Sequence, residues 1–115
     1  MDEDEIKVMI DNLINNAVKY NSDKKIFISL EKVDENAVLC VKNGINCDVS
    51  DIDKIWDPFY VLEKSRSKEL SGSGLGLSIV SEIANKYGFE KNVQVIGKCI
   101  KFKIVFKKNN NNPHL

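Results

Sequence analysis

Ser71-Gly72-Ser73-Gly74-Leu75-Gly76-Leu77-Ser78-Ile79-Val80 runs small residues without a break into an apolar-periodic helix. A loop of this kind feeding a helix start is an anion site. Glycines let the backbone approach a phosphate, and the unpaired amides of the first helical turn point at the negative charge. Alone, such a run is more often a turn or a linker than a nucleotide site. No Lys-Ser or Lys-Thr follows the last glycine, as a P-loop requires, and no hydrophobic strand leads in, as a dinucleotide fingerprint requires. The loop therefore asks for a different kind of nucleotide site.

Working outward, the next informative run is Asn12-Leu13-Ile14-Asn15-Asn16-Ala17-Val18-Lys19-Tyr20. Ile6, Met9, Ile10, Leu13, Ala17 and Tyr20 recur at three- and four-residue steps, which predicts one buried face of an amphipathic helix. Asn12, Asn16 and Lys19 fall on a neighbouring polar stripe. Amide oxygens suit a hard Mg²⁺ ion that keeps some of its waters, and a lysine one turn on can neutralise a phosphate oxygen. The bland alternative is a helix C-terminus, with Lys19 favouring the dipole and Asn21-Ser22 forming the turn.

In this order the motifs resemble the ATP-binding catalytic domain of sensor histidine kinases, within the wider superfamily of chaperone, gyrase and mismatch-repair ATPases. Asn12-Leu13 with Asn16-Ala17-Val18-Lys19-Tyr20 looks like the family's asparagine motif, and Ile55-Trp56-Asp57-Pro58-Phe59-Tyr60 like its aromatic motif. Lys64-Ser65-Arg66 looks like the basic part of the ATP lid, and Gly72-Ser73-Gly74-Leu75-Gly76-Leu77 like the second glycine motif. The resemblance runs from about Asp4 to Phe106. It departs from the family where the base is read. Val41-Lys42-Asn43-Gly44-Ile45 has Asn43 at the position that is usually Asp, with Gly44 directly after it. Gly97-Lys98-Cys99-Ile100 lacks the usual Thr. An asparagine can accept from an adenine amino group or turn its amide and donate to another base.

The resemblance implies Mg-ATP as the ligand. Asn16, helped by Asn12, holds the metal; Lys19 and Arg66 neutralise phosphates; Gly72, Ser73, Gly74, Leu75, Gly76 and Leu77 line the phosphates with amides; Asn43 touches the base, with Gly44 and Tyr20 also at the nucleotide. It also implies a γ-phosphate acceptor, a histidine on a separate dimerisation domain of the same kinase, followed by a response regulator. The chain begins only a few residues before the asparagine motif, so it is expected to be inactive in autophosphorylation without that domain. The setting implied is the cytoplasmic part of a membrane-bound sensor kinase. Two other readings stay open: a nucleotide-binding module that regulates by interaction, and a sister branch of serine kinases or dimerising ATPases. Trp56-Asp57-Pro58-Phe59-Tyr60 and Ser65-Arg66 count against the sister branch.

Composition sets bounds that agree. At 115 residues with a formal net charge of zero, the chain is one domain with no global field to gather nucleic acid. Cys40, Cys47 and Cys99 are odd in number and scattered, which fits a reduced protein rather than a disulfide framework. The single histidine, His114, and the absence of a Cys-x-x-Cys pair argue against zinc. No apolar run reaches the length of a membrane span, and an isolated monomer without direct membrane contact is expected. The expected fold is α+β, a two-layer α/β sandwich with a mixed, mostly antiparallel sheet on about three helices. Strands are expected at Lys25 to Val33, Asn36 to Val41, Val93 to Ile96 and Cys99 to Phe106, and a second helix from Leu75 to Tyr87. Residues 1–108 form this domain, and residues 109–115, with Asn109 to Asn112 and Pro113, are expected to be a disordered end or linker.

Overall fold

The opening helix forms because its ends and its faces agree. In the computed structural model, which describes residues 2–21, 25–45, 52–57 and 76–108, α1 spans Glu3–Tyr20. Asp2 caps it, its carboxylate accepting from the Asp4 amide at 2.8 Å. Glu3, Asp4 and Glu5 lie in the first turn and Lys19 in the last, each favoured by the helix dipole. Met9, Leu13 and Ala17 are fully buried, with Ile6 and Ile10 packed at the margin. Asn21 leaves the helix in an extended conformation.

Four strands follow the expected hairpins: β1 (Ile26–Val33), β2 (Asn36–Gly44), β3 (Glu90–Ile96) and β4 (Cys99–Phe106). Between β2 and β3 lie a short 3₁₀ turn, Ile52–Trp56, and α2, Gly76–Tyr87. The sheet order is β1-β2-β4-β3, and every described pairing is antiparallel. The described residues thus hold two α-helices and one 3₁₀ turn on a four-stranded antiparallel sheet, an α+β architecture. The parallel component and third helix expected from the sequence are not among them. Two strands run longer than their composition suggests. Glu90, Lys91 and Asn92 enter β3 because they pair with Val105, Ile104 and Lys103, and Asn43 and Gly44 remain in β2 opposite Ile100 and Cys99.

Residues opposite one another share a face, so the register identifies the side that meets the helices. Leu39 stands opposite Ile104, Val41 opposite Phe102 and Asn43 opposite Ile100. All six are buried, and the apolar five join Met9, Leu13, Val80 and Ala84 in one core. Phe102, the largest fully buried side chain, contributes about 1.5–3 kcal/mol by leaving water. Trp56 packs edge-on to it with ring centroids 5.6 Å apart, a core role. The row expected from Ile26, Ile28 and Leu30 points the same way, yet Ile28 is 51% and Leu30 68% exposed. The cause is position: β1 is an edge strand away from the helices, whose main strand contacts fall on β2 and β3.

α2 ends as its sequence predicts. Gly88 takes φ 70°, its amide donates to Asn85 O and the Phe89 amide to Ala84 O, the pairing of a Schellman cap. That end is tied to the start of α1: the Glu5 carboxylate accepts from Lys86 Nζ at 2.7 Å and Tyr87 Oη at 2.6 Å. Lys86 first, then Tyr87, hold the Glu5 carboxyl below its ordinary 4.5, and the bond to Glu5 raises both Lys86 and Tyr87 above 10.5 and 10.0. A depressed acid stabilises above its ordinary pKa and loses that contribution as pH falls through the folded value; raised bases do the reverse at the alkaline end. The melting-temperature gap between wild type and Glu5→Gln is therefore expected to be widest between about pH 5 and 9 and to close at both extremes. A gap independent of pH would show that the network contributes nothing through charge.

Candidate functional site

The polar stripe of α1 meets α2 at Asn12. Asn12 is half-buried, and its Nδ2 donates to Val8 O one turn back at 2.8 Å. Its Oδ1 is turned to the first residue of α2, 3.0 Å from where a Cβ on Gly76 would sit. One turn along α1, Asn16 carries a buried Nδ2 with no acceptor. Lys19 is exposed on the last turn. Tyr20 closes the helix, and its side chain lies outside what is described.

Asn43 is 1% exposed, at the end of β2 on the face that the helices cover. Its Nδ2 donates to Gly44 O at 2.9 Å, and its Oδ1 is buried with no donor. This removes the two-way choice that the sequence allowed. Turning the amide over would lose that bond and set two carbonyl oxygens against each other, so the open atom is an acceptor. Gly44 is a buried ladder residue opposite Cys99. Ile100, where the Thr is missing, is fully buried in the core beside Asn43.

Leu77 follows Gly76 in the first turn of α2, and its side chain belongs to the core. What these two positions offer to a ligand is backbone N–H at a helix start. Arg66, Gly72, Ser73, Gly74 and Leu75, together with Pro58, Phe59, Tyr60 and the basic lid, lie outside the described residues, as do Cys47 and His114. Cys40 and Cys99 are free thiols.

Two side-chain polar atoms among the described residues are buried without a partner, Asn16 Nδ2 and Asn43 Oδ1. Each costs about 1–3 kcal/mol until a ligand pairs it. The chemistry is complementary: a donor for a phosphate oxygen, an acceptor for an exocyclic amine. Asn16 also fits a metal, because an amide whose nitrogen meets a phosphate turns its oxygen the other way, and amide oxygens ligate Mg²⁺. No group of three or more His, Cys, Asp or Glu that could cage an ion exists among the described residues. Sequence reading missed the Asn12 to Gly76 contact and the Glu5, Lys86 and Tyr87 network, because no local pattern pairs residues on separate helices.

Residues 1–109 match the family model described as histidine kinase-, DNA gyrase B-, and HSP90-like ATPase. The sensor histidine kinase WalK of Bacillus subtilis is 31% identical over 114 residues, covering 93% of this chain and 19% of the relative. A WalK sensor kinase of Staphylococcus aureus is 33% identical over 90 residues, covering 75% of this chain and 22% of its own length. The chain thus spans about a fifth of the length of these curated relatives. Among solved structures, the histidine kinase AdeS of Acinetobacter baumannii superimposes with TM-score 0.75 at 26% identity, over 95% of this chain and 48% of that one. The catalytic domain of the histidine kinase ThkA gives 0.75 at 25% identity, over 93% and 68%.

Proposed function

The chain belongs to the histidine kinase-, DNA gyrase B-, and HSP90-like ATPase family, and from that membership we propose that it binds Mg-ATP and donates the γ-phosphate to a histidine on a separate dimerisation domain of a sensor kinase. ATP binding goes with the family; the metal, the acceptor and the residue roles are the proposal. The observation that carries it is the pair of buried, unpartnered atoms on Asn16 and Asn43, a donor and an acceptor on two elements that pack together, α1 and β2. A domain keeps such atoms where a ligand pairs them.

In this reading Asn16 holds Mg²⁺ and touches a phosphate, Lys19 and Arg66 neutralise phosphate oxygens, and the amides from Gly72 to Leu77 cradle them. Asn43 reads the amino group of the base, with Gly44 and Tyr20 beside the nucleotide. Mg²⁺ held by Asn16 would supply positive charge to offset that of the phosphates during transfer. The partners are the histidine-bearing domain and a response regulator. The setting is the cytoplasmic side of a membrane-bound kinase, and no described helix is long and apolar enough to cross a membrane. A second reading, nucleotide binding that regulates without efficient transfer, draws on Ile100, whose buried apolar side chain opposite Asn43 supplies no hydroxyl.

Titration with ATP, with and without Mg²⁺, tests the metal assignment. Wild type is expected to gain affinity from Mg²⁺, and Asn16→Ala to lose that gain by about tenfold or more, the scale of one contact to a charged group. Adenosine, which has no phosphate, is expected to bind both equally. A Mg²⁺ gain that survives Asn16→Ala would refute the assignment.

A further inference from the structure

We propose that Asn12 is a positioning residue rather than a ligand: its carboxamide sets the approach of α2 to α1 and so places the first turn of α2 relative to Asn16. The inference rests on the nucleotide-site reading above. The bond of its nitrogen to Val8 O at 2.8 Å holds the Asn12 amide so that its oxygen lies toward Gly76, 3.0 Å from where a Cβ there would stand. Turning that oxygen to a metal would carry it away from Gly76. Asn16, whose buried Nδ2 has no acceptor, is the opposite case.

Gly76 supplies the other half of the argument. A glycine within a helix is costly relative to alanine, and one that needs unusual backbone freedom takes a positive φ. Among described glycines only Gly88 and Gly97 do so. Gly76 is therefore not required by its φ, and the room beside Asn12 is a reason for it that needs no ligand. A Cβ at this position would stand 3.0 Å from Asn12 Oδ1, closer than carbon and oxygen pack, yet 3.8 Å from Cγ and 4.0 Å from the Asn12 Cβ, ordinary contact distances. The carboxamide oxygen alone makes a side chain at residue 76 tight, so that it or the helix must give by a few tenths of an ångström. The pair acts as a spacer between the helix that bears Asn16 and the helix start that offers amides to phosphate.

A double-mutant cycle read by Mg-ATP and adenosine binding tests this. Gly76→Ala is expected to weaken Mg-ATP about tenfold, the scale of a tightly overpacked contact, and to leave adenosine unchanged. Asn12→Ala combined with Gly76→Ala brings two Cβ atoms to ordinary contact and is expected to recover most of the loss. Asn12→Ala alone keeps the Mg²⁺ gain in affinity that Asn16→Ala abolishes. If Asn12 were a ligand, the double variant would bind worse than Gly76→Ala, and Asn12→Ala would lose the Mg²⁺ gain; either result overturns the proposal. Should Gly76→Ala fail to fold, folding of the double variant supports the spacer and its failure refutes it. Wild type that binds no Mg-ATP would instead sink the nucleotide-site reading, while the same cycle in melting temperature still decides the spacer.

Discussion

ATP is expected to outcompete GTP on this chain by about ten- to a hundredfold, with Asn43 as the cause. Its Nδ2 is committed to Gly44 O, so the buried Oδ1 can only accept. An adenine amino group pairs it. A guanine carbonyl in that position leaves two acceptors facing each other, and an unpaired buried polar group costs about 1–3 kcal/mol. The sequence alone suggested a weaker preference, because a free amide can turn to suit either base. Asn43→Ala is expected to bring the two affinities close together, chiefly by weakening ATP. Competition binding of ATP and GTP to both proteins measures it. A preference unchanged in Asn43→Ala would place base recognition elsewhere.

Incubated with Mg-ATP by itself, the chain is expected to acquire no acid-labile phosphate. Histidine phosphorylation needs an imidazole nitrogen in line with the γ-phosphate, and the one histidine, His114, follows Asn109 to Asn112 and Pro113 with no pattern that pre-organises it. Supplied with the histidine-bearing domain of its own kinase, the chain is expected to label that domain slowly, since the effective concentration of a covalent link is lost. Label on the chain that persists in His114→Gln would mean another acceptor. Loss of label in that variant would mean that the tail histidine is the acceptor after all.

The residues that were legible in the sequence are those whose neighbours determine them. Met9, Leu13 and Ala17 were readable because a helix repeats every 3.6 residues, and Ile100, Phe102 and Ile104 because a strand alternates. Their burial follows those periods. The stop at Gly88 was readable because a Schellman cap favours a left-handed residue. Asn12 was legible as polar and facing its neighbours, but its engagement with Gly76 depends on how two helices cross. Ile28 and Leu30 misled for a similar reason: alternation gives the face of a strand, and only the sheet order shows that β1 lies beyond the helix layer. Asn43 kept its place in the site reading, while the direction of its amide needed the carbonyl of Gly44 in three dimensions.

The central claim is that one nucleotide spans α1, the start of α2 and the end of β2. Backbone amide shifts on titration with a non-hydrolysable Mg-ATP analogue test it most directly. The account predicts saturable shifts concentrated at Asn16, Asn43, Gly44, Gly76 and Leu77. The shallow hollow on the opposite face of the sheet, lined by Lys101 and Lys103, is expected to stay unchanged. Shifts centred on Lys101 and Lys103, or none at Asn16 and Asn43 at saturation, would contradict it.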